Sequence, residues 1–250
     1  MGNKYGRNYL SQVIARIDFV SPISSLNQEM PGELAATSKK HFPILEPKEI
    51  ALQKLTIGPS APQVEKADTI REWHLWGKER EKHLVITQFF MFIEFTRYST
   101  FEDFGAHFTT LVDSLFDVSK ELRVRRLGLR YINNIELAGR NSFSWSTYLN
   151  RNLLSIFKLS QDKAKIARAF HNLELNLGDY TLRFQYGMPN PDYPAPIRKR
   201  IFVLDYDAYS VGVLTKDEIR QSLPVLHDEI ESMFESCITD KLRGMMNVSG

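Results

Sequence analysis

The polar side chains of one central stretch have the residue types and spacing of an anion- or peptide-binding surface. Glu121 to Leu137 reads ELRVRRLGLRYINNIEL, and its alternation places Arg126, Arg130 and Asn134 on one face of a strand. Gly128 lies between the two arginines and leaves room for a ligand or a backbone to approach closely. Guanidinium groups bind carboxylates and phosphates through paired hydrogen bonds. The structural alternative is that Arg130 pairs with a carboxylate on a neighbouring strand.

Two aspartates are the expected source of that carboxylate. Asp205 and Asp207 are two residues apart, on one face of a strand predicted over Arg200 to Tyr209. Paired carboxylates can hold a divalent cation, but no third ligand stands at motif spacing. Cross-strand pairing is therefore the favoured interpretation, and no metal site is predicted.

A second basic cluster follows a proline-rich loop and contains Arg198, Lys199 and Arg200. If it lies on the same side as the central arginines, the two clusters form a local anion-binding site. The candidate ligand-binding residues are therefore Arg126, Arg130, Asn134, Asp205, Asp207, Arg198 and Arg200.

Motifs that would carry catalysis are missing from the sequence. No histidine pair has HxH, HExxH or HxxxH spacing, and there is no phosphate-binding glycine loop and no GxSxG turn. Cys237 stands between Phe234 and Ile238 on a predicted helix and is interpreted as a buried apolar side chain. The sequence predicts no catalytic residue and no cofactor, and it favours a protein that is not an enzyme.

Composition limits the partners. The 250 residues carry a net charge of +2, so no global field requires a polyanion. Aromatic residues between Trp73 and Phe95 could stack on bases, but no lysine or arginine stripe accompanies them. The single cysteine, the absence of a secretory signal and the absence of an apolar run of membrane length predict a cytoplasmic protein without a membrane partner. The oligomeric state is left open.

Periodicity predicts alternating groups of strands and helices. The predicted strands are Ser11–Val20, Gln53–Ile57, Thr69–Gly77, His83–Phe90, Met91–Tyr98, Glu121–Leu137, Ala167–Leu177, Tyr180–Gly187 and Arg200–Tyr209. The two around Phe90 are open to interpretation as one bent strand. The predicted helices are Ile23–Phe42, Thr100–Phe116, Asn141–Phe157 and Thr215–Met246. Thr215 and Glu218 form a capping box, and Pro224 is expected to kink or split the last helix.

The order strand, helix, several strands, long helix occurs twice, over residues 1–120 and 121–250. This predicts an α+β protein of two sheet-and-helix halves with antiparallel sheets, produced by internal duplication. The central strand could join both sheets into one continuous domain. The element order is similar to that of TATA-binding-protein-like saddles and helix-grip folds.

Three stretches carry a family resemblance: Arg125–Leu137 (RRLGLRYINNIEL), Leu204–Tyr209 (LDYDAY) and Leu226–Met246 (LHDEIESMFESCITDKLRGMM). With them, the chain resembles a family of uncharacterised, sporadically distributed bacterial proteins over nearly its full length. The chain departs from the family pattern at its start, where NYLSQ replaces a proline-rich lead into the first strand. The resemblance implies the boundaries of the fold and supplies no catalytic residues.

The predicted function is a non-catalytic recognition or regulatory module whose partner is another protein. An antitoxin, immunity or defence-associated component falls within this class, as the sporadic distribution of the similar family indicates. One alternative is an enzyme or ligand-binding protein that acts on a phosphorylated or nucleotide ligand at the polar face of the central strand. The other is a nucleic-acid binder that uses a curved sheet.

Overall fold

The computed structural model describes residues 5–56, 63–139 and 141–247, with side chains at all of these positions except 52–56 and 63–68. Residue 57 of the predicted strand Gln53–Ile57 lies outside this part. The strands are β1 (Leu10–Phe19), β2 (Ile44–Thr56), β3 (Gln63–Trp76), β4 (Lys82–Ile86), β5 (Phe90–Phe95), β6 (Val124–Glu136), β7 (Ala169–Asn176), β8 (Thr181–Met188) and β9 (Ile201–Leu214). The α-helices are α1 (Gly32–His41), α2 (Phe101–Val118), α3 (Lys216–Cys237) and α4 (Asp240–Asn247). Short 3₁₀ helices cover Ser24–Asn27, Arg151–Lys158 and Lys163–Lys165.

The described strands form one open sheet of nine strands in the order β2-β3-β4-β5-β1-β6-β9-β8-β7. Every pair of neighbours is antiparallel. The predicted α+β class with antiparallel pairing is confirmed. Because β1 pairs directly with β6, strands from before and after residue 120 belong to the same sheet, and the chain forms one sheet rather than two.

The two faces of β6 follow the predicted alternation. Leu127, Leu129 and Ile135 are fully buried and Tyr131 is nearly so. In contrast, Arg126 and Arg130 are partly exposed and Asn134 is exposed. We call the face that carries these three polar side chains the open face. The opposite face packs on helices, since α3 contacts both β6 and β9, and α2 packs on α3.

The predicted starts of two helices, α2 and α3, are present in the structure. The Thr100 side chain accepts a hydrogen bond from the Asp103 amide and caps α2. The capping box of Thr215 and Glu218 at the start of α3 is present. Pro224 does not split α3, because it lies on the exposed side of the helix, where water can reach the Arg220 carbonyl that lacks its N–H partner. None of the helices in the described part is both long enough and apolar enough to cross a membrane.

Three predicted helices differ from the structure. The predicted helix Thr215–Met246 is divided into α3 and α4, and the break lies at Ile238, which has an extended backbone, rather than at Pro224. The segment Ile23–Phe42 is divided into a 3₁₀ turn and α1, with Pro31 at the N-cap of α1, because proline cannot donate a hydrogen bond inside a helix. The predicted helix Asn141–Phe157 is wrong over its first half. There the Asn141 side chain accepts a hydrogen bond from the Phe143 amide, which stabilises a turn in competition with helix. Only Arg151–Lys158 is helical, and it is a 3₁₀ helix.

Candidate functional site

The centre of the open face is a charge pair between β6 and β9. Arg130 donates from Nε to Asp205 Oδ1 at 2.8 Å and from Nη2 to Asp205 Oδ2 at 2.6 Å. The Arg130 side chain is 42% exposed, whereas that of Asp205 is only 12% exposed. The pairing expected as the structural alternative for Arg130 is present, and it satisfies the carboxylate with the two parallel bonds that guanidinium favours.

The second charge pair joins Arg126 of β6 to Asp207 of β9, next to the first pair on the open face. Arg126 donates from Nη2 to both oxygens of Asp207 at 3.3 Å, and its guanidinium lies 4.7 Å from the centroid of the Tyr209 ring. To reach Asp207 it crosses Gly128, where an added Cβ would lie 2.7 Å from Arg126 Nη1. The space that Gly128 leaves is therefore occupied by Arg126 itself and is not open to a ligand.

Two further arginines extend this pattern to both sides. On β1, Arg16 Nη2 binds Asp18 Oδ1 at 2.7 Å, and its guanidinium lies 4.1 Å from the Phe90 ring centroid. On β8, Arg183 Nε donates to Glu174 Oε1 of β7 at 2.7 Å. Across the described part of β1, β6 and β8, each of the four arginines of the open face has its own carboxylate. This region consequently has no surplus positive charge.

Apolar side chains separate the charge pairs. Ile14 lies opposite Arg130 on β1, Ile132 lies opposite Asp205 on β9, and Val203 lies opposite Asn134. All three apolar side chains are partly buried. The surface therefore combines paired charges, aliphatic groups and aromatic rings, a composition suited to contact with another protein.

Arg200 of the second basic cluster does not reach the open face, so the condition for a common site is not met at this residue. Arg200 precedes β9, and its guanidinium lies over the rings of Trp145 and Tyr148, 5.2 and 5.0 Å from their centroids. It also donates to the carbonyls of Ala138 and Ser144. Odd-numbered residues of β9 reach the open face, so Arg200 lies in the other register. Arg198 is exposed, and its carbonyl accepts from the Ser142 hydroxyl.

A chain of histidines and glutamates occupies another part of the open face. His74 Nδ1 lies 2.9 Å from His83 Nε2, and His74 Nε2 lies 2.8 Å from Glu72 Oε2. At the other end, His83 Nδ1 lies 3.9 Å from Glu94 Oε2. The Trp76 ring stacks on His83 with centroids 3.6 Å apart. The two histidine nitrogens that face each other can share one proton and cannot both carry one.

Acidification is expected to lower the free energy of unfolding. Four histidines have a pKa below the usual 6.5 because they are buried or partly buried. They are His74, His107, His227 and His41. As the pH falls, these histidines therefore bind protons in the unfolded chain at a higher pH than in the folded one. Their contribution to the free energy of unfolding is complete above pH 6.5 and is lost as the pH falls below that value. Urea denaturation between about pH 7 and about pH 5 measures the slope.

The variant His74→Gln removes one of these groups and should flatten that slope. A free energy of unfolding that increases from about pH 7 to about pH 5 would contradict this expectation. A slope equal to that of the wild type in His74→Gln would assign the effect to the other histidines.

The helix-covered side of the sheet contains a cleft of about 320 Å³ that the sequence did not reveal. In it, Tyr98 Oη lies 3.1 Å from Tyr131 Oη, which lies 2.9 Å from His227 Nδ1. The His227 ring stacks on Phe101 with centroids 4.0 Å apart. Burial raises the pKa of Tyr98 to about 12 and lowers that of His227, so all three groups are neutral at neutral pH.

Asn133 is the residue of β6 that could have indicated this cleft. It interrupts the apolar face between Tyr131 and Ile135, and it is only 4% exposed while lining the cleft. A buried polar side chain on an apolar face commonly marks a functional or hydrogen-bonded position. This signal was missed because the predicted site residues of β6 all lie on the opposite face, with the arginines.

One group of side chains beside this cleft lies close enough together to hold a cation. His227, Asp228 and Glu231 place one ligand atom each within 4.8 Å of one another. Their i, i+1 and i+4 spacing matches none of the HxH, HExxH and HxxxH histidine motifs. Cys237 is nearby in the chain but buried, and burial raises the pKa of its thiol, which disfavours the nucleophilic thiolate.

Comparison with known proteins adds no identity. No protein-family model matches the chain, and no curated protein matches it either. The function is therefore inferred from the geometry of the open face and the cleft. Ligand binding by Arg126, Arg130, Asn134, Asp205 and Asp207 stays a prediction.

Proposed function

We propose that the protein is a non-catalytic recognition module that binds another protein through the open face of its sheet. The observation that carries the proposal is the set of arginine–carboxylate pairs between partly exposed apolar side chains. Arginine and aromatic residues are enriched at the centres of protein interfaces, where lysine is depleted. Pairs that are already formed lose little side-chain entropy when a partner covers them.

The same observation weighs against the two alternatives. A phosphorylated ligand or a nucleic acid gains affinity from guanidinium groups that lack a counter-charge. Both Arg130 donors that face Asp205 are used, and Arg126 is shared between the Asp207 oxygens. A phosphate would have to displace a carboxylate from its pair, so these alternatives are less favoured than a protein partner.

A steric variant of an exposed open-face residue tests the proposal. Gln185 of β8 lies opposite Asp205 and is exposed, so Gln185→Trp adds a large ring to the face without disturbing the core. Tagged wild-type protein is used to retain partners from the native host, which are identified by mass spectrometry and then purified. We expect the affinity of the purified partner for Gln185→Trp to fall at least tenfold, with little dependence on salt concentration.

The matched control is Gln221→Trp, which places the same ring on the exposed side of α3. It should leave the affinity unchanged. Equal binding by Gln185→Trp and the wild type would contradict the use of the open face. Retention of nucleic acid or nucleotide that weakens steeply with salt would favour the alternatives instead.

Two finer statements belong to the same proposal. The sporadic distribution of the family that the sequence resembles supports an antitoxin, immunity or defence-associated role in the cytoplasm. The sheet order supports internal duplication, because β1 and β6 begin the two halves and pair at the centre, and in each half the remaining strands run from the last one inside to the first one outside. A curved, saddle-like surface is part of the same proposal.

A further inference from the structure

Strand β7 is an edge of the sheet with unpaired backbone groups. Among the described strands it pairs only with β8, and Phe170 and Leu173 on it are 49% and 44% exposed. Its sequence, AFHNLELN, contains no proline and no lysine, the residues that commonly block an edge strand. Its one charged side chain, Glu174, forms a salt bridge with Arg183 of β8. This edge can therefore accept another strand.

The opposite edge of the sheet is blocked. Strand β2 carries Pro47 and Lys48, and among the described strands it pairs only with β3. Proline removes a backbone donor, and lysine disfavours the approach of a second strand. Of the two edges formed by the described strands, β7 is thus the one suited to pairing. In a contact between copies of this chain, β7 would therefore pair with the β7 of the second copy. Such a contact uses up the edge of both copies, so it produces a dimer and not a larger assembly.

The hairpin determines which backbone groups of β7 point outward. The Leu177 amide donates to the Tyr180 carbonyl at 2.8 Å, and the register continues without a shift to Ala169 opposite Met188. Odd-numbered residues of β7 therefore bond to β8. Because antiparallel pairs alternate, the even-numbered residues direct their N–H and C=O groups away from the sheet.

We propose that two copies of the chain pair through β7, antiparallel and centred on Leu173. In this register Leu173 faces the partner subunit's Leu173 at a non-hydrogen-bonded position, where side chains come closest. Asn172 exchanges backbone hydrogen bonds with the partner subunit's Glu174, and the side-chain amide lies beside the carboxylate. Phe170 pairs in the same way with the partner subunit's Asn176.

The alternative two-fold register, centred on Asn172, is less complementary. It places Phe170 opposite the partner subunit's Glu174 and leaves Leu173 opposite the partner subunit's His171. The register centred on Leu173 joins two exposed leucines and an amide with a carboxylate. It extends the sheet across both copies and keeps the two open faces on the same side, because the two-fold axis is perpendicular to the sheet.

The mass in solution tests the pairing. Light scattering on the eluting wild-type protein should give twice the chain mass of 29.0 kDa. Leu173→Lys brings two ammonium groups together at the axis and should reduce the mass to that of one chain, with wild-type melting in dilute solution. Leu45→Lys makes the same change at an exposed leucine of β2 and should remain a dimer. A wild-type monomer at every concentration, or a dimeric Leu173→Lys, would overturn the proposal.

Cysteine cross-linking tests the register. A non-hydrogen-bonded pair has Cα atoms about 4.5 Å apart, within the disulfide range of about 4.4–6.8 Å. Leu173→Cys should thus oxidise to a covalent dimer, whereas Asn172→Cys should not, since Asn172 faces the partner subunit's Glu174. The native Cys237 is buried and does not compete. Cross-linking of Asn172→Cys in place of Leu173→Cys would exclude the register proposed here.

Discussion

Replacing Leu226 by aspartate is expected to unfold the protein. Leu226 is fully buried on α3, among the side chains that join this helix to β6 and β9. Loss of the leucine alone costs about 2–5 kcal/mol. An unpaired carboxylate in that position adds several kcal/mol or forces water into the core. The sum is comparable to the whole stability of an ordinary domain, about 5–15 kcal/mol.

Circular dichroism and urea denaturation of Leu226→Asp measure this effect. Val225→Asp is the matched control, since Val225 is the neighbouring residue of α3 and is 36% exposed. It should change the free energy of unfolding by no more than about 0.5 kcal/mol. Wild-type melting of Leu226→Asp would show that α3 does not dock on the sheet as described.

Arg130→Ala is expected to destabilise the protein even though Arg130 is on the surface. The substitution leaves Asp205, which is 12% exposed, without the two hydrogen bonds that satisfy it. An unsatisfied buried polar group costs about 1–3 kcal/mol. The loss stays below the ~3–5 kcal/mol of a fully buried pair, because water already reaches the guanidinium side.

The double variant Arg130→Ala with Asp205→Asn separates the charge from the contact. Removing the charge should recover part of the lost stability, so the two substitutions are not additive. Arg125→Ala, at an exposed position of the same strand, controls for the loss of a positive charge and should leave the denaturation midpoint unchanged. If Arg130→Ala matched that control, the pair would contribute nothing and Arg130 would be free to act in binding alone.

Local patterns in the sequence predicted the local structure well. The alternation around Leu127 and Arg130 predicted both faces of β6, and the Thr215–Glu218 pair predicted the start of α3. Both signals depend on residues a few positions apart, which the sequence shows directly. The pairing of Arg130 with an aspartate of β9 was predicted as the structural alternative, because opposite charges on the same face of neighbouring strands attract each other.

Features that depend on the order of the strands were not predictable. The distance between Arg126 and Asp207, and the passage of Arg126 over Gly128, follow from the register of β6 against β9. The sequence leaves open whether Arg200 reaches the open face, and the packing of its guanidinium over Trp145 and Tyr148 decides it. The cleft around His227 joins residues from α2, α3 and β6, and no local pattern connects them.

The position of β1 between β5 and β6 has a consequence for the order of folding. Ile14 of β1 pairs with Glu94 of β5 on one side and with Arg130 of β6 on the other. During synthesis the first half emerges well before β6, so β1 presents one bare backbone edge until the middle of the chain has left the ribosome. Pairing over such separations is slow and exposes the chain to aggregation. We therefore expect the hydrogen bonds between β1 and β6, at the centre of the finished sheet, to form late in folding.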